Sequence, residues 1–184
     1  MAVVFDVFEF YNIIQAKRKS NSSNSSVSPK ILGLDYGTKK LGIAISDDTC
    51  QIAFPKETLI NNWCHSELLI KEIIKQSSLY QTNDIVIGLP KKMNNTLDAK
   101  CEFLIQIANQ ICNISPNYNI LLFDERFSTK QTTAITRFQT RRGYNTTTTK
   151  AKKHHNTDKT YDDAQSACII LQDVLNIINS YQRS

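Results

Sequence analysis

The sequence predicts an α/β fold in which a mixed sheet of five strands carries helices on both faces. Three strand-like apolar segments follow one another near residue 30, and strand-like and helical segments alternate after them. Consecutive short strands favour antiparallel pairing, whereas strand–helix–strand units favour parallel pairing, so the sheet should contain both. The connecting helices then cover the two faces of the sheet.

Residues 1–29 are expected to form an N-terminal extension and linker, and residues 30–184 the globular domain. The spacing of apolar residues in 1–16 predicts an amphipathic helix that docks on the domain or on a partner. Residues 20–28 are rich in Ser and Asn, which is typical of a linker. A basic cluster at 17–19 follows the apolar segment, unlike in a secretory signal, so a cytoplasmic location is expected. Targeting of the extension to a mitochondrion or plastid is the open alternative.

The elements of the domain follow from periodicity and from Gly and Pro positions. Strands are predicted at 31–35, 41–46, 51–59, 84–89 and 119–123, and helices at 63–77, 96–112, from 128, and 162–181. Pro55 has no N–H to donate, so its strand should lie at an edge or contain a bulge. Residues 141–160 are polar and of low complexity, which predicts a loop.

Composition narrows the classes of function. The net charge is +5 and the pI is about 8.9, which suits a polyanionic partner. The five cysteines are scattered without C-x-x-C spacing, so neither a zinc site nor a redox motif is indicated. No apolar run has the length of a membrane span, and a membrane partner is not expected.

Acidic residues stand at the ends of three predicted elements. Asp35 ends the first strand, Asp124 and Glu125 follow the last strand, and Asp162 and Asp163 begin the final helix. Each set also has a simple structural explanation. Asp35 could cap a turn, Asp124 and Glu125 could be solvated turn residues, and Asp162 and Asp163 could interact favourably with the helix dipole. The carboxyl ends of neighbouring strands, however, face one crevice in an open α/β sheet. Carboxylates gathered there suit Mg²⁺ or Mn²⁺, and one or two such ions can promote phosphodiester hydrolysis.

Four segments of the chain resemble the YqgF (RuvX) family, relatives of the RuvC Holliday-junction resolvases within the RNase H-like fold. The segments are 33–46 (GLDYGTKKLGIAIS), 85–96 (IVIGLPKKMNNT), 122–129 (LFDERFST) and 163–171 (DAQSACIIL). They occur in the family's order, and the resemblance covers about residues 30–180. One departure is Lys91-Lys92, which stand where the family usually has an apolar residue and Asn.

The resemblance implies an RNase H-like, metal-dependent nuclease. It implies that Asp35, Glu125 and Asp163 hold Mg²⁺ or Mn²⁺, with Asp124 as a further catalytic residue, and Glu125 is favoured over Asp124 as the direct ligand. The substrate implied is precursor small-subunit (16S) rRNA, cleaved in its 5′ region. Ribosomal precursor particles are then expected partners, and the protein would be a monomer or a homodimer.

Basic residues are expected around this crevice as contacts for the nucleic-acid backbone. They are Lys39, Lys40, Lys91, Lys92, Arg126, Arg141, Arg142, Lys150, Lys152 and Lys153. Flexible basic segments bind phosphates without recognising a base sequence. A solvated loop that binds nothing and only keeps the protein soluble would have the same composition.

Three other functions stay open at this point. A Holliday junction resolvase would act on branched DNA and needs a dimer that matches the two-fold symmetry of a four-way junction. An actin-like ATPase also opens with D-x-G-T, but it needs a second phosphate loop that the sequence does not contain. A non-catalytic nucleic-acid-binding module could keep the same fold.

Overall fold

The computed structural model describes residues 2–20, 30–89, 99–124 and 158–182, which form a six-stranded mixed sheet with helices on both faces. The strands are β1 Ala2–Val4, β2 Leu32–Tyr36, β3 Lys40–Ser46, β4 Ala53–Ile60, β5 Asp84–Leu89 and β6 Asn119–Asp124. The helices are α1 Val7–Ser20, α2 Ser66–Leu79, α3 Ala99–Ile114 and α4 Asp158–Gln182. The sheet order is β1-β6-β5-β2-β3-β4.

The predicted α/β class and mixed sheet are confirmed. Strands β1, β6, β5 and β2 are parallel neighbours, and β3 is antiparallel to both β2 and β4. Pro55 lies on β4 at the edge of the described sheet, and the β3–β4 register shifts between Gly42 and Ala44. Both features that the proline predicted are therefore present.

The predicted count of five strands is wrong, because the N-terminal residues add a sixth. Ala2–Val4 pair in parallel with β6, with Ala2 opposite Asn119 and Val4 opposite Leu121. Three residues are too few to reveal a strand period, and the partner strand is distant in the sequence. A helix beginning at residue 1 was therefore predicted, whereas α1 begins at Val7.

Helix α1 docks on the sheet and on α4 through an apolar face. Val7, Phe10 and Ile14 are buried and share a cluster with Val174 and Ile178 of α4. Phe10 has no exposed surface. The predicted docking of this segment is therefore confirmed, and its contacts are with the rest of the chain.

Alternation along the strands separates two apolar layers. Leu34 of β2 and Ile43 of β3 face α2 and α3, where they join a cluster with Leu69 and Leu104. Ala44 and the other residues of opposite parity face α4. No helix among the described residues is long and apolar enough to cross a membrane.

Small residues of the central strands let α4 approach the sheet closely. A Cβ added to Gly33 would lie 2.8 Å from Cβ of Leu171. The side chain of Gln172 on α4 accepts a hydrogen bond from the Ala53 N–H at 2.9 Å and donates one to the Gln51 carbonyl at 3.0 Å, which ties the helix to β4 and to the segment before it. The helix therefore has a fixed position above β2, β3 and β4.

Helix α4 begins earlier than the sequence predicted. Its first residue is Asp158, four positions before residue 162. Asp163 is therefore beyond the first turn, and the helix dipole gives no simple reason for its charge. The helix predicted from residue 128 and residues 141–157 of the predicted loop lie outside the described residues.

Candidate metal-binding active site

One row across the sheet positions the first candidate carboxylate. Asp35 of β2 lies opposite Gly42 of β3, and Gly42 lies opposite Thr58 of β4. Residues directly opposite each other in antiparallel strands project to the same face. This row therefore faces α4.

Gly42 creates the space in which α4 meets this row. A Cβ added there would lie 2.0 Å from the backbone oxygen of Asp163 and 3.1 Å from the nitrogen of Ala164. Any side chain at position 42 would collide with the helix backbone. The absence of a side chain thus allows Asp163 to lie over the strand next to Asp35.

Thr58 fixes the same part of the helix from the edge strand. Its Oγ1 accepts a hydrogen bond from the Ala164 N–H at 3.0 Å. One buried hydrogen bond contributes about 1 kcal/mol. The bond restrains Asp163, because the two residues are adjacent in the chain.

The electrostatics show that the two carboxylates interact. Burial raises the pKa of Asp35 above its ordinary value, the positive charge of Lys100 lowers it, and the negative charge of Asp163 raises it further. A like charge raises a carboxyl pKa only at short range. The predicted convergence of Asp35 and Asp163 is therefore present in the structure.

Lys40 neutralises the charge of Asp163, but one oxygen atom of this carboxylate makes no hydrogen bond. Nζ of Lys40 lies 2.9 Å from Oδ2 of Asp163, and each side chain is 31% exposed. That oxygen atom is itself buried and makes no hydrogen bond, so the short contact is an ion pair without hydrogen-bond geometry. A buried carboxylate oxygen that accepts no hydrogen bond is a suitable ligand for a hard divalent cation.

Asp124 occupies a different position from the one predicted by its place at a strand end. It is buried at the end of β6 opposite Leu89, whose side chain belongs to the layer that faces α2 and α3. By strand alternation, its side chain is on the face opposite to Asp35. The structure therefore does not bring the Asp124 carboxylate to the other two.

Among the described residues, no group of three or more His, Cys, Asp or Glu side chains could hold a metal ion. Asp35 and Asp163 form a pair, and Glu125, the third ligand predicted, lies outside the described residues. The same holds for eight of the ten predicted basic contacts. They are Lys91, Lys92, Arg126, Arg141, Arg142, Lys150, Lys152 and Lys153.

Lys39 is a predicted basic contact that the structure describes, and its side chain is exposed. It lies in the turn between β2 and β3, where the Gly37 N–H donates to the Lys40 carbonyl at 2.8 Å. The Trp63 N–H donates to the Thr38 carbonyl at 2.9 Å, which holds the turn against the segment before α2. Lys39 thus projects from an anchored turn.

The sequence analysis missed Lys100, Gly42 and Thr58 as parts of the site. The positive charge of Lys100 on α3 acts on Asp35, and its Nζ lies 5.4 Å from the centre of the Tyr36 ring. Only the placement of α3 reveals this electrostatic interaction. The small residues at positions 42 and 44 offered a usable signal, since they indicate close approach by another backbone.

Comparisons with known proteins show the family to which the chain belongs. The family model described as "RuvX: Holliday junction resolvase" matches residues 29–177. A protein of Ehrlichia chaffeensis named "Putative pre-16S rRNA nuclease" is 33% identical over 156 residues, which are 83% of this chain and 88% of that protein. A protein of the same name from Malacoplasma penetrans is 32% identical over 82% of this chain and 96% of its own length.

Among solved structures, the fold is similar to that of T. thermophilus RuvC in complex with Holliday junction substrate. The TM-score is 0.54 at 8% sequence identity, and the match covers 84% of this chain and 96% of that one. At this identity the likeness concerns the fold alone, and it confirms the RNase H-like architecture.

Proposed function

We propose that this chain uses a divalent cation to process the 5′ region of precursor 16S rRNA. The chain belongs to the RuvX family and is a nuclease that hydrolyses phosphodiester bonds. The observation that carries the proposal is the pairing of Asp35 and Asp163 across Gly42. Two partly buried carboxylates held together by the fold are costly unless a cation joins them.

The cation proposed is Mg²⁺ or Mn²⁺, as one or two ions. When bound, such an ion would activate a water molecule and stabilise the charge that develops on the phosphoryl oxygens. Asp35 and Asp163 would hold it, and Glu125 is the proposed third ligand. Glu125 is preferred to Asp124 because the Asp124 side chain is on the other face of the sheet.

The basic residues would hold the backbone of the nucleic acid. Lys39 is exposed on the anchored turn that joins β2, the strand of Asp35, to β3, which supports a contact with a phosphate. The positive charge of Lys100 already acts on Asp35, which supports a role in neutralising a phosphate that enters there. The basic residues between 126 and 153 are proposed to extend this surface, and the net charge of +5 supports a nucleic-acid partner.

The choice of RNA rests on the names of the relatives, which the chain matches over most of its length. Ribosomal precursor particles are the corresponding proposed partners. We also propose a cytoplasmic location, with residues 1–29 as an N-terminal extension of the nuclease domain.

A cleavage assay tests the proposal. Wild type should cut a precursor 16S rRNA fragment in the presence of Mg²⁺ or Mn²⁺ and should be inactive in EDTA. Asp35→Asn and Asp163→Asn should fold normally and lose at least about 100-fold in rate, because each removes a charged ligand. Lys75→Gln, at an exposed ion pair on α2, is the control and should retain wild-type activity. Full activity of Asp35→Asn would refute the assignment.

Cleavage of four-way DNA junctions is the second candidate, which the description of the matching family model favours. A resolvase must present two active sites to one junction, so it should be a homodimer in solution. A monomer that cuts the rRNA fragment and leaves a four-way junction intact would exclude this candidate. A dimer with the opposite preference would replace the first proposal.

A further inference from the structure

We propose that Lys40 is a built-in counter-ion of Asp163 that a divalent cation must displace, so that Lys40 weakens metal binding at this site. The inference rests on the proposed function, because it assumes that Asp163 is a metal ligand. It changes the role of Lys40, which the sequence had indicated only as a contact for nucleic acid.

The geometry shows that the ammonium group and the cation compete for one atom. Nζ of Lys40 is 2.9 Å from Oδ2 of Asp163, the buried oxygen that makes no hydrogen bond. A Mg²⁺ or Mn²⁺ ion would bind that oxygen at about 2.1 Å, which places the two cations roughly 4 Å apart. Their repulsion at this distance favours departure of the lysine.

Lys40 is able to leave. It begins β3 directly after the turn that carries Lys39, and its side chain is 31% exposed. Its ammonium group is on a flexible four-carbon stem with rotatable donors, so it can turn away from Oδ2 toward solvent. After displacement, the charge would lie at the mouth of the site beside Lys39, where a substrate phosphate can take the place of the carboxylate.

The cost of displacement is limited by solvent. Both partners of the pair are partly exposed, so the ion pair is screened and weaker than a fully buried one. Removal of the competing charge should therefore strengthen metal binding by about three- to tenfold. The direction of the change in metal affinity is the informative result. If Lys40 only positioned Asp163, it would strengthen metal binding, and removal of Lys40 would weaken metal binding.

Isothermal titration of the full chain with Mn²⁺ tests the inference. Lys40→Gln should bind Mn²⁺ about three- to tenfold more tightly than wild type. Lys40→Arg keeps the positive charge and should stay within about twofold of wild type. Lys75→Gln makes the same change in net charge at a distant ion pair and should also stay within about twofold.

A thermal-shift measurement supplies a second readout. Mn²⁺ should raise the melting temperature of Lys40→Gln more than that of wild type at equal concentration, because a ligand stabilises the folded state by an amount that grows with the logarithm of its concentration divided by Kd. Mn²⁺ affinity of Lys40→Gln that is unchanged or weaker overturns the inference while cleavage by wild type still supports the proposed function. If wild type neither binds Mn²⁺ nor cleaves RNA, both are overturned.

Discussion

Replacement of Gly42 by Ala tests whether close contact between α4 and β3 builds the active site. The new Cβ would lie 2.0 Å from the Asp163 backbone oxygen, whereas ordinary van der Waals contact begins at 3.4 Å. The difference requires a movement of about 1.4 Å. The atom to be moved belongs to the helix backbone, so a change of side-chain rotamer cannot relieve the clash.

The displacement should affect both stability and chemistry. Overpacking of this kind costs about 1 to 3 kcal/mol of unfolding free energy. The hydrogen bond from Ala164 to Thr58 should be lost as well, at about 1 kcal/mol. A shift of about 1 Å in a catalytic group can reduce the rate about 100-fold, and Asp163 would shift by at least that much.

Urea unfolding, Mn²⁺ titration and cleavage of the rRNA fragment measure these effects. Gly33→Ala is the matched control, because its Cβ would also press on α4, 2.8 Å from Leu171 and about two turns beyond Asp163. Gly33→Ala should lose stability with little change in Mn²⁺ affinity, whereas Gly42→Ala should lose both. Wild-type Mn²⁺ affinity and rate in folded Gly42→Ala would refute the reasoning.

Three further variants test other features of the structure. Phe10→Ala should lower the unfolding free energy by about 3 to 5 kcal/mol, because this side chain is fully buried. Phe8→Ala, at an exposed position of the same helix, is the control. If Phe10→Ala loses no more unfolding free energy than Phe8→Ala, α1 adds little to the stability of the domain. Burial raises the pKa of Asp173 to about 6, so its contribution to stability is present at low pH and is lost as the pH rises through 6. Allowing for partial exposure, wild type should lose roughly 1 kcal/mol more than Asp173→Asn between about pH 4 and pH 7, and parallel urea-unfolding profiles would contradict this. Lys100→Gln should raise the pKa of Asp35 and move the pH midpoint of Mn²⁺ binding upward, and an unmoved midpoint would argue against their contact.

The periodicity of apolar residues and the positions of Gly and Pro were sufficient to predict most of the fold. The apolar segments of β5 and β6 are short and uniform, and Pro55 marked both the edge strand and the register shift. These signals are local, because a buried strand or an edge proline is recognisable from its own residues. β1 was missed, since three residues become a strand only through a partner distant in the chain.

The sequence also indicated Asp35 and Asp163 as the acids that converge, because both stand near the ends of elements that meet at one edge of the sheet. It could not indicate that Asp124 faces away, that Lys40 pairs with Asp163, or that the charge of Lys100 acts on Asp35. Those facts depend on strand parity, register and the placement of α3 and α4. Charges are read directly from the chain, but which charges meet is decided by packing, here by a glycine that lets a helix backbone lie on a strand.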